Sequence, residues 1–279
     1  MEPFSDISII SHMLTGAFYG GRMVTVIFPA AGKGSRMKAG MNKVFMPLGG
    51  VPILIRTLLQ YSGCAEIDQM VVVVAAAEVD FVESVLAKVR GLKPYKIVAG
   101  GSERQYSVLN GIKSVDGNDD DIILVHDAAR PFISHETITA VIDGVKKHGG
   151  VIAAVAAKNT IKVCDGEGMV KETPDRSTLW EIQTPQGFTR KILLEANDRA
   201  MADGFLGTDD ASLVERIGQP VHIVKSDYRN IKITTPEDII IGEAFIKSQG
   251  QSTLIEKNNQ IMDEINKLIK DCWQQEAVL

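Results

Sequence analysis

Between residues 24 and 157, short runs of β-branched residues alternate with longer segments in which apolar residues recur every three or four positions. The short runs predict strands at 24–29, 70–75, 95–98, 122–126 and 151–157. The longer segments predict helices near 52–62, 78–90, 103–115 and 135–148. Strands that alternate with helices are typical of a parallel sheet covered on both faces. We therefore expect an α/β chain with a doubly wound, mostly parallel, Rossmann-like sheet.

Two of these helices begin with recognisable start signals. Pro52 suits a first helical turn, where its missing N–H costs no hydrogen bond. Ser102, with Gln105 three positions later, has the pattern of a capping box. The helix over 103–115 is thus predicted to be capped by Ser102.

The pattern changes after residue 157. Residues 159–164 and 169–173 flank a turn at 165–168, which predicts an extended β-hairpin that leaves the sheet. We call residues 157–178 the arm. A hairpin cannot bury both of its faces alone, so we expect the arm to pack on a partner subunit, with folding back on its own domain as the alternative.

Beyond the arm the chain returns to the core. The patterns predict helices near 189–203 and 209–217 and strands at 221–225 and 231–234. A last core helix begins in Thr235-Pro236-Glu237-Asp238, where Thr235 can cap and the two carboxylates face the positive end of the helix dipole. These elements complete one domain, which we place at residues 23–250.

The two ends of the chain differ from this domain. Residues 1–22 are mildly apolar without a basic segment, and we expect a poorly ordered N-terminal extension rather than a signal peptide. Residues 251–279 carry a stripe of apolar residues at helical spacing, which predicts an amphipathic C-terminal helix. The stripe consists of Ile255, Met262, Ile265, Ile269 and Trp273. Packing on its own domain or on a dimer mate is favoured over a separate partner-binding role.

Composition narrows the class of protein. Of the 279 residues, 45% are hydrophobic and 23% charged, which excludes a largely disordered chain. The net charge of -5 argues against a protein that binds nucleic acid by neutralising its backbone. No apolar run approaches the ~20 residues of a membrane helix, so no membrane partner is expected.

The metal-binding residue types are sparse. Three cysteines without a C-x-x-C pair argue against a disulfide framework and favour a reducing, cytoplasmic location. Five histidines show no zinc-binding spacing. A metal, if used, is expected to be Mg²⁺ held by carboxylate and phosphate oxygens.

A glycine-rich loop follows the first strand, with the sequence PAAGKGSRM over 29–37. Such a loop lets several backbone N–H groups converge on an anion. It matches neither the dinucleotide fingerprint, which needs a glycine where Met37 stands, nor the P-loop, which needs four residues between its glycines. With the cations Arg36 and Lys43 beside it, the loop suits a triphosphate.

Asp127 ends the fourth predicted strand, in the sequence HDAARP. Groups at the carboxyl ends of parallel strands face the binding crevice, so Asp127 is expected on the same rim as the glycine loop. That position suits a ligand of Mg²⁺. The alternative is a carboxylate that caps the next turn or pairs with Arg130.

Six ordered strings carry a resemblance to a known family: PAAGKGSRM, GGSERQYSV, VHDAARPF, QTPQGF, TDDASLVE and NIKITTPEDI. Over about residues 23–247 the chain resembles the 2-C-methyl-D-erythritol 4-phosphate cytidylyltransferases. The resemblance implies a nucleotidyltransferase domain that transfers CMP from CTP to 2-C-methyl-D-erythritol 4-phosphate in isoprenoid biosynthesis, releasing pyrophosphate with the help of Mg²⁺.

The resemblance also implies roles for residues at matching positions. Catalytic cations would be Arg36, Lys43 and Lys232. The nucleotide would be bound by Pro29, Ala30, Ala31, Gly32, Gly34, Ser35, Gly101, Ser102, Arg104, Ser107 and Ala128. The sugar phosphate would be bound by Thr160, Arg176, Thr184 and Thr208. The metal would be held by Asp127, with Asp227 as a second candidate.

In the family, Thr160 and Arg176 lie on a hairpin that reaches into the neighbouring subunit's site, so the resemblance implies a homodimer formed through the arm. Some of these residues have structural alternatives. Ser102 and Ser107 can cap or pack, and Thr208 can be the N-cap of the helix over 209–217. Lys232 can be a solvated strand lysine.

Two positions depart from the family's pattern. The family usually has Pro-Lys-Gln around its catalytic lysine, where this chain has Asn42-Lys43-Val44, which leaves the rigidity of the loop open. Some members place a carboxylate just before the asparagine of the NIK string, where this chain has Arg229. Two rival functions remain at this point: a ribitol-5-phosphate cytidylyltransferase and a catalytically silent nucleotide-binding protein.

Overall fold

The computed structural model describes residues 10–11, 21–32, 42–249 and 252–276. Its strands are β1 (Ile10–Ser11), β2 (Val24–Pro29), β3 (Pro47–Leu48), β4 (Val51–Pro52), β5 (Gln69–Val74), β6 (Tyr95–Ala99), β7 (Ile122–Val125), β8 (Gly150–Ala156), β9 (Val163–Cys164), β10 (Val170–Glu172), β11 (Trp180–Thr189) and β12 (His222–Lys225). Its α-helices are α1 (Ile53–Ser62), α2 (Val79–Leu86), α3 (Arg104–Lys113), α4 (His135–His148), α5 (Arg190–Ala202), α6 (Asp210–Arg216), α7 (Pro236–Gln249), α8 (Thr253–Glu256) and α9 (Asn259–Glu276).

Within these residues the central sheet has the strand order β1-β6-β5-β2-β7-β11-β8-β12. The strand β2 pairs in parallel with β5 and β7, β5 with β6, and β8 with β12. The strand β11 runs antiparallel between β7 and β8, and β1 pairs antiparallel with β6. The predicted doubly wound, mostly parallel sheet is confirmed.

Both faces of the sheet are buried. Val26 and Ile27 are neighbours on β2, point to opposite faces and are each fully buried. The cluster around Ile27 is covered by α3, α5 and α6, whereas the cluster around Val26 is covered by α1, α2, α4 and α9. Burial on both faces explains why these strands read as continuous apolar runs.

The strand β11 was not predicted from the sequence. Its sequence WEIQTPQGFT lacks a strong apolar run and contains Pro185 and Gly187. Pro185 lies in the register shift between Ile182 and Gln186, where the ladder does not need its N–H. Gly187 is required because a Cβ there would lie 2.8 Å from side-chain atoms of Leu124 and two valines of α4.

The strand predicted at 231–234 was wrong. Ile233 N donates to Ala129 O at 2.8 Å, but no ladder follows. The N–H groups of Thr234 and Thr235 instead donate to the Asp238 carboxylate at 2.7 and 2.8 Å. A helix start thus uses the backbone donors that a strand would need.

The capping box predicted at Ser102 was also wrong. The helix α3 begins at Arg104, its N-cap position is Glu103, and no side chain caps it there. Ser102 is therefore left in the preceding loop, which lines the cleft described below.

The arm projects from the domain. Its paired segments β9 and β10 are shorter than the predicted ones and are joined by a turn in which Gly168 has a φ of 85°. Four of its apolar side chains are between 41% and 62% exposed, namely those of Ile161, Val163, Met169 and Val170. The arm therefore does not fold back to bury these residues on its own domain.

The C-terminal stripe packs on its own domain, as favoured from the sequence. The predicted single helix is divided into α8 and α9 around Asn258, whose buried amide group bonds Arg90 N and Arg90 O at 2.8 and 2.9 Å. Ile255, Met262 and Ile265 are among its buried residues.

Most of the predicted N-terminal extension lies outside the described residues. Within residues 1–22, Ile10 and Ser11 pair with Ile97 and Lys96 at the edge of the sheet. The expected poor order of this extension stays a prediction.

Candidate active site

A cleft of about 280 Å³ opens where β2, β6 and β7 end. It is bounded by three loops that follow these strands and by the segment that precedes α7. Its described lining residues are Pro29, Ala30, Ala31, Gly32, Asn42, Lys43, Val44, Gly101, Ser102, Glu103, Arg104, Ser107, Asp127, Ala128, Ala129, Lys232 and Thr234. Carboxyl ends of strands in open α/β sheets are where ligands bind, and the predicted nucleotide-binding residues among those described all meet here.

The glycine loop and the loop after β6 approach each other closely. A Cβ at Gly100 would lie 2.8 Å from both Ala31 Cβ and Ser107 Oγ, so only glycine permits this approach. Ser107 Oγ accepts from Gly101 N at 3.1 Å and donates to Glu103 O at 3.1 Å. The buried Ser107 hydroxyl therefore shapes this loop, in agreement with the structural alternative weighed for it.

Asp127 is surrounded by three cations. Lys232 Nζ and Arg130 Nε lie 3.0 and 3.1 Å from its Oδ2, and Arg104 Nε lies 3.9 Å from its Oδ1. Burial alone raises the pKa of a carboxyl, but attraction to the three cations outweighs burial and holds the pKa of Asp127 well below its usual value. Asp127 is therefore ionised. Its pairing with Arg130, which the sequence offered as an alternative, is present.

The backbone N–H of Asp127 is held by a buried chain of hydrogen bonds through Thr184 and His126. Thr184 Oγ1 accepts from Asp127 N at 3.0 Å and contacts His126 Nδ1 at 3.0 Å, while His126 Nε2 lies 3.1 Å from Arg130 O. A carbonyl only accepts, so Nε2 carries the proton and the Thr184 hydroxyl donates to Nδ1. Burial lowers the pKa of His126 to about 3, so the ring is neutral.

Arg104 is held by a residue that sequence reasoning missed. Its Nη2 donates to Asp210 Oδ2 at 2.8 Å. Burial lowers the pKa of the Arg104 guanidinium, but attraction to Asp210 outweighs burial and raises the pKa. Gln186 Oε1 accepts from Asp210 N at 3.0 Å. The only sequence signal for Asp210 is its place in the string TDDASLVE, in which the resemblance implies a binding role for Thr208 alone.

Lys43 begins the 3-10 turn Lys43–Phe45 on the rim of the cleft, and its Nζ donates to Ile233 O at 2.9 Å. The preceding Asn42 is buried and its Nδ2 donates to Ala30 O at 2.8 Å, while its Oδ1 accepts from Val44 N at 3.4 Å. Asn42 stands where the family usually has proline. Its side chain restrains the turn in a different way, because it ties the Lys43 turn to the glycine loop.

Lys232 is neither in a strand nor simply solvated, since it pairs with Asp127 as described. Thr208 is exposed and does not cap α6, because Asp209 is the N-cap residue and accepts from Ser212 N at 2.9 Å. Thr160 and Arg176 lie exposed on the arm, and Arg176 Nη1 donates to Lys158 O at 3.1 Å. None of these last three lines the cleft of its own chain, as far as the described residues define it.

The metal candidates differ. Asp127 lines the cleft and is ionised, which fits Mg²⁺ bound by one carboxylate together with substrate phosphates. Asp227 does not line it, and its Oδ2 lies 2.6 Å from Arg229 Nη2. Among the described residues, no group of three or more histidines, cysteines or carboxylates is arranged to hold a metal. Gly34, Ser35 and Arg36 lie outside the described residues.

Comparisons with known proteins agree with this geometry. The family model described as 2-C-methyl-D-erythritol 4-phosphate cytidylyltransferase (IspD) matches residues 24–248. This chain belongs to that family. The proteins of that name from Geotalea uraniireducens and Geobacillus kaustophilus are 47% and 46% identical over 227 and 220 residues. These matches cover 81% and 79% of this chain and 97% and 95% of the relatives.

Solved structures of family members have the same fold. The 4-diphosphocytidyl-2C-methyl-D-erythritol synthase from Anaerococcus prevotii superposes with a TM-score of 0.73 at 33% identity, covering 81% of this chain and 96% of that one. The 2-C-methyl-D-erythritol 4-phosphate cytidylyltransferase from Thermus thermophilus gives 0.67 at 28% identity, with coverages of 81% and 99%. The helices α8 and α9 lie beyond the family match. None of the helices described is long and apolar enough to cross a membrane.

Proposed function

We propose that this protein transfers the cytidylyl group of CTP to 2-C-methyl-D-erythritol 4-phosphate and releases pyrophosphate, a step of isoprenoid biosynthesis. The observation that carries the proposal is the cleft at the carboxyl ends of β2, β6 and β7, where backbone amides, Lys43 and Lys232 face one space. Such a site restrains a polyanion during displacement at phosphorus.

In this reaction an oxygen of the substrate phosphate attacks the α-phosphorus of CTP. One P–O bond forms while the bond to the leaving pyrophosphate breaks, so no protein nucleophile is required. Lys43 and Lys232, with Arg36 as the resemblance implies, would neutralise the charge on the α-phosphate and the leaving group. Asn42 and Ile233 O hold the Lys43 turn and its ammonium in place.

The nucleotide would bind across the two loops. Residues 30–36 of the glycine loop would cradle the triphosphate, with backbone N–H groups of the loop as donors. Gly101, Ser102 and Arg104 would face the base and ribose, with Ala128 close by on the rim. Ser107 would act by shaping the loop, since its hydroxyl already bonds Gly101 N and Glu103 O.

Magnesium is the cofactor that we propose. Asp127 would hold it together with phosphate oxygens of CTP, and the ion would reduce the negative charge of the triphosphate. Lys232 and Arg130 keep the carboxylate ionised for this role. Asp227 is not part of the proposal because it does not line the cleft.

The sugar phosphate would be bound with the help of a second copy of the chain. Thr160 and Arg176 are exposed on the arm, which presents unburied apolar side chains suited to a partner surface. We therefore propose a homodimer in which each arm reaches the partner's cleft. Thr208 would contact the sugar phosphate directly, whereas Thr184 acts through Asp127. The sparse cysteines agree with a cytoplasmic location.

Pyrophosphate release tests the function. The purified protein is assayed with each nucleoside triphosphate against methylerythritol phosphate, ribitol 5-phosphate and no acceptor, with Mg²⁺. We expect turnover only with CTP and methylerythritol phosphate. A preference for ribitol 5-phosphate favours the rival cytidylyltransferase, and CTP binding without turnover favours a silent nucleotide-binding protein.

A further inference from the structure

Trp273 joins the C-terminal helix to the catalytic rim. Its ring lies on α9, with its centroid 5.0 Å from that of Phe45 and 5.1 Å from that of Phe81. The Phe45 and Phe81 rings are themselves 5.7 Å apart at an interplanar angle of 79°. The three rings form a cluster between α9, α2 and the 3-10 turn Lys43–Phe45, with contacts in the range that aromatic pairs favour.

The backbones of Phe45 and Lys43 are coupled through a short turn. Both lie in one three-residue turn closed by bonds from Phe45 N to Asn42 O at 3.0 Å and from Met46 N to Lys43 O at 3.1 Å. Phe45 is only 1% exposed, so its ring cannot move without displacing its neighbours. A shift of this ring is therefore passed through the short turn to the backbone of Lys43.

The helix α9 has further contacts with the domain besides those of the three rings. Met262, Ile265 and Ile269 are buried against the domain, and Asn266 Nδ2 donates to Gly50 O at 2.8 Å. We expect these contacts to keep α9 in place when Trp273 is replaced. The helix also lies outside residues 24–248, the part matched by the family model.

We propose that Trp273 is a positioning residue, through which the C-terminal helix braces the turn that carries Lys43. The proposal rests on the proposed catalytic role of Lys43. Asn42 holds this turn from the side of the glycine loop, and Trp273 supports it through Phe45 from the side of α9. The brace would limit the positions that the Lys43 ammonium samples around the reacting phosphate.

Kinetics of three full-length variants test the brace. Trp273→Ala should lower kcat by roughly ten- to a hundred-fold, since small displacements of a catalytic group are costly. The KM values for the two substrates should change less than kcat, because Lys43 acts on the transition state. Trp273→Phe should restore most of kcat because it keeps a ring against Phe45. If Trp273→Ala does not fold, Trp273→Leu takes its place.

Met262→Ala is the matched control. It removes a buried side chain that lies eleven residues before Trp273 on the same helix, about 16 Å away along the helix axis, so it should lower the thermal midpoint while kcat stays near that of the wild type. A wild-type kcat in Trp273→Ala overturns the proposal. The proposal is also overturned if kcat falls in Met262→Ala too, in the same proportion to the drop in thermal midpoint as in Trp273→Ala.

Hydrogen exchange provides a readout that does not depend on activity. The amides of Phe45 and Met46 should exchange faster in Trp273→Ala than in Met262→Ala, and unchanged exchange contradicts the brace. If the wild type transfers no cytidylyl group, the proposed function fails, while the exchange comparison still decides whether Trp273 holds the turn.

Discussion

The cleft and the arm carry the two halves of the proposed substrate contacts, yet they are built differently. In the cleft, Asp127 is bound by side chains from α3, the loop after β7 and the segment before α7. The side-chain hydrogen bonds of the described arm residues stay within the arm, such as those of Asp165 with Glu167 N and of Asp175 with Ser177 N. Its apolar side chains are exposed.

The cleft and the arm therefore differ in what holds their functional residues in place. The cleft is preorganised within one chain, because each charge is held by partners distant in sequence. The arm carries Thr160 and Arg176 on a segment whose faces its own domain does not cover. In the proposed homodimer, the phosphorus chemistry would depend on the single chain, whereas capture of the sugar phosphate would depend on assembly.

Removing the Lys43 charge should produce the largest loss in the cleft. Lys43→Ala is expected to reduce kcat by roughly a hundred- to a thousand-fold, since one preorganised group that stabilises transition-state charge is worth about 3–4 kcal/mol. The thermal midpoint should change little because Lys43 lies on the rim. Steady-state kinetics and thermal unfolding measure the two effects.

The control is Lys93→Ala, which removes another lysine that donates to a backbone carbonyl, Ala65 O at 3.4 Å. This variant should keep normal turnover. Near-normal turnover in Lys43→Ala would contradict its assigned role.

Asp127→Asn should produce the largest loss of stability. The substitution leaves three cations facing a neutral group, and we expect the free energy of unfolding to fall by about 3 kcal/mol, the lower end for a buried pair because Lys232 reaches solvent. Urea unfolding in the presence of a chelator measures this loss without any contribution from a metal.

The pH dependence gives a second test of Asp127. Its pKa is lower in the folded than in the unfolded protein, so its stabilising contribution is fully present above the ordinary aspartate pKa and is lost as the pH falls toward the folded value. The stability difference between wild type and Asp127→Asn should therefore shrink below about pH 4. A difference that stays constant down to pH 2 would exclude this ion cluster as its cause.

Much of the scaffold followed from the sequence because parallel strands buried on both faces are continuous apolar runs. The runs at 24–29 and 122–126 match β2 and β7 to within one residue. The strand β11 was missed because its buried polar residues, such as Gln186, hide the pattern. The segment 231–234 was misassigned because alternation alone does not reveal that Asp238 binds its N–H groups.

The lining of the cleft could be predicted where a residue type in a recognisable position carries the signal, as for Asp127 at a strand end and Lys43 shortly after the glycine loop. It could not be predicted where a side chain acts through a partner far along the chain. Asp210 holds Arg104 across 106 positions, and Thr184 bonds His126 across 58. Such pairs become visible only when the fold brings their elements together.

Arg176→Ala tests whether the arm acts only on the sugar phosphate. Loss of a charge-assisted hydrogen bond should raise the KM for methylerythritol phosphate by about ten- to thirty-fold, corresponding to roughly 1.5–2 kcal/mol. The KM for CTP should be nearly unchanged, and so should the free energy of unfolding, to within about 0.5 kcal/mol, because the side chain is exposed. Equal increases in both KM values would remove the proposed division between cleft and arm.

The smallest expected effect is the pH dependence of the free energy of unfolding that arises from His126, which belongs to the buried hydrogen-bond chain next to Asp127. The variant His126→Gln tests it. His126 resists protonation in the folded protein until about pH 3 but gains a proton near pH 6.5 when unfolded. The unfolded state thus binds more protons between these values, so stability falls as the pH is lowered through 6.5, by about 1.4 kcal/mol between pH 8 and pH 5.5. His126→Gln should remove the share of this slope that His126 contributes, although its stability at pH 8 is itself reduced. A weaker slope of the same sign should remain from His148, whose pKa is lowered by desolvation and by the charges of His222 and Lys147. His135→Gln, which alters an exposed histidine whose Nε2 lies 2.9 Å from Gln60 O, should retain the full slope. The arm contains no histidine, so a slope that survives undiminished in His126→Gln would have to arise elsewhere in the domain and would show that His126 is not its main source.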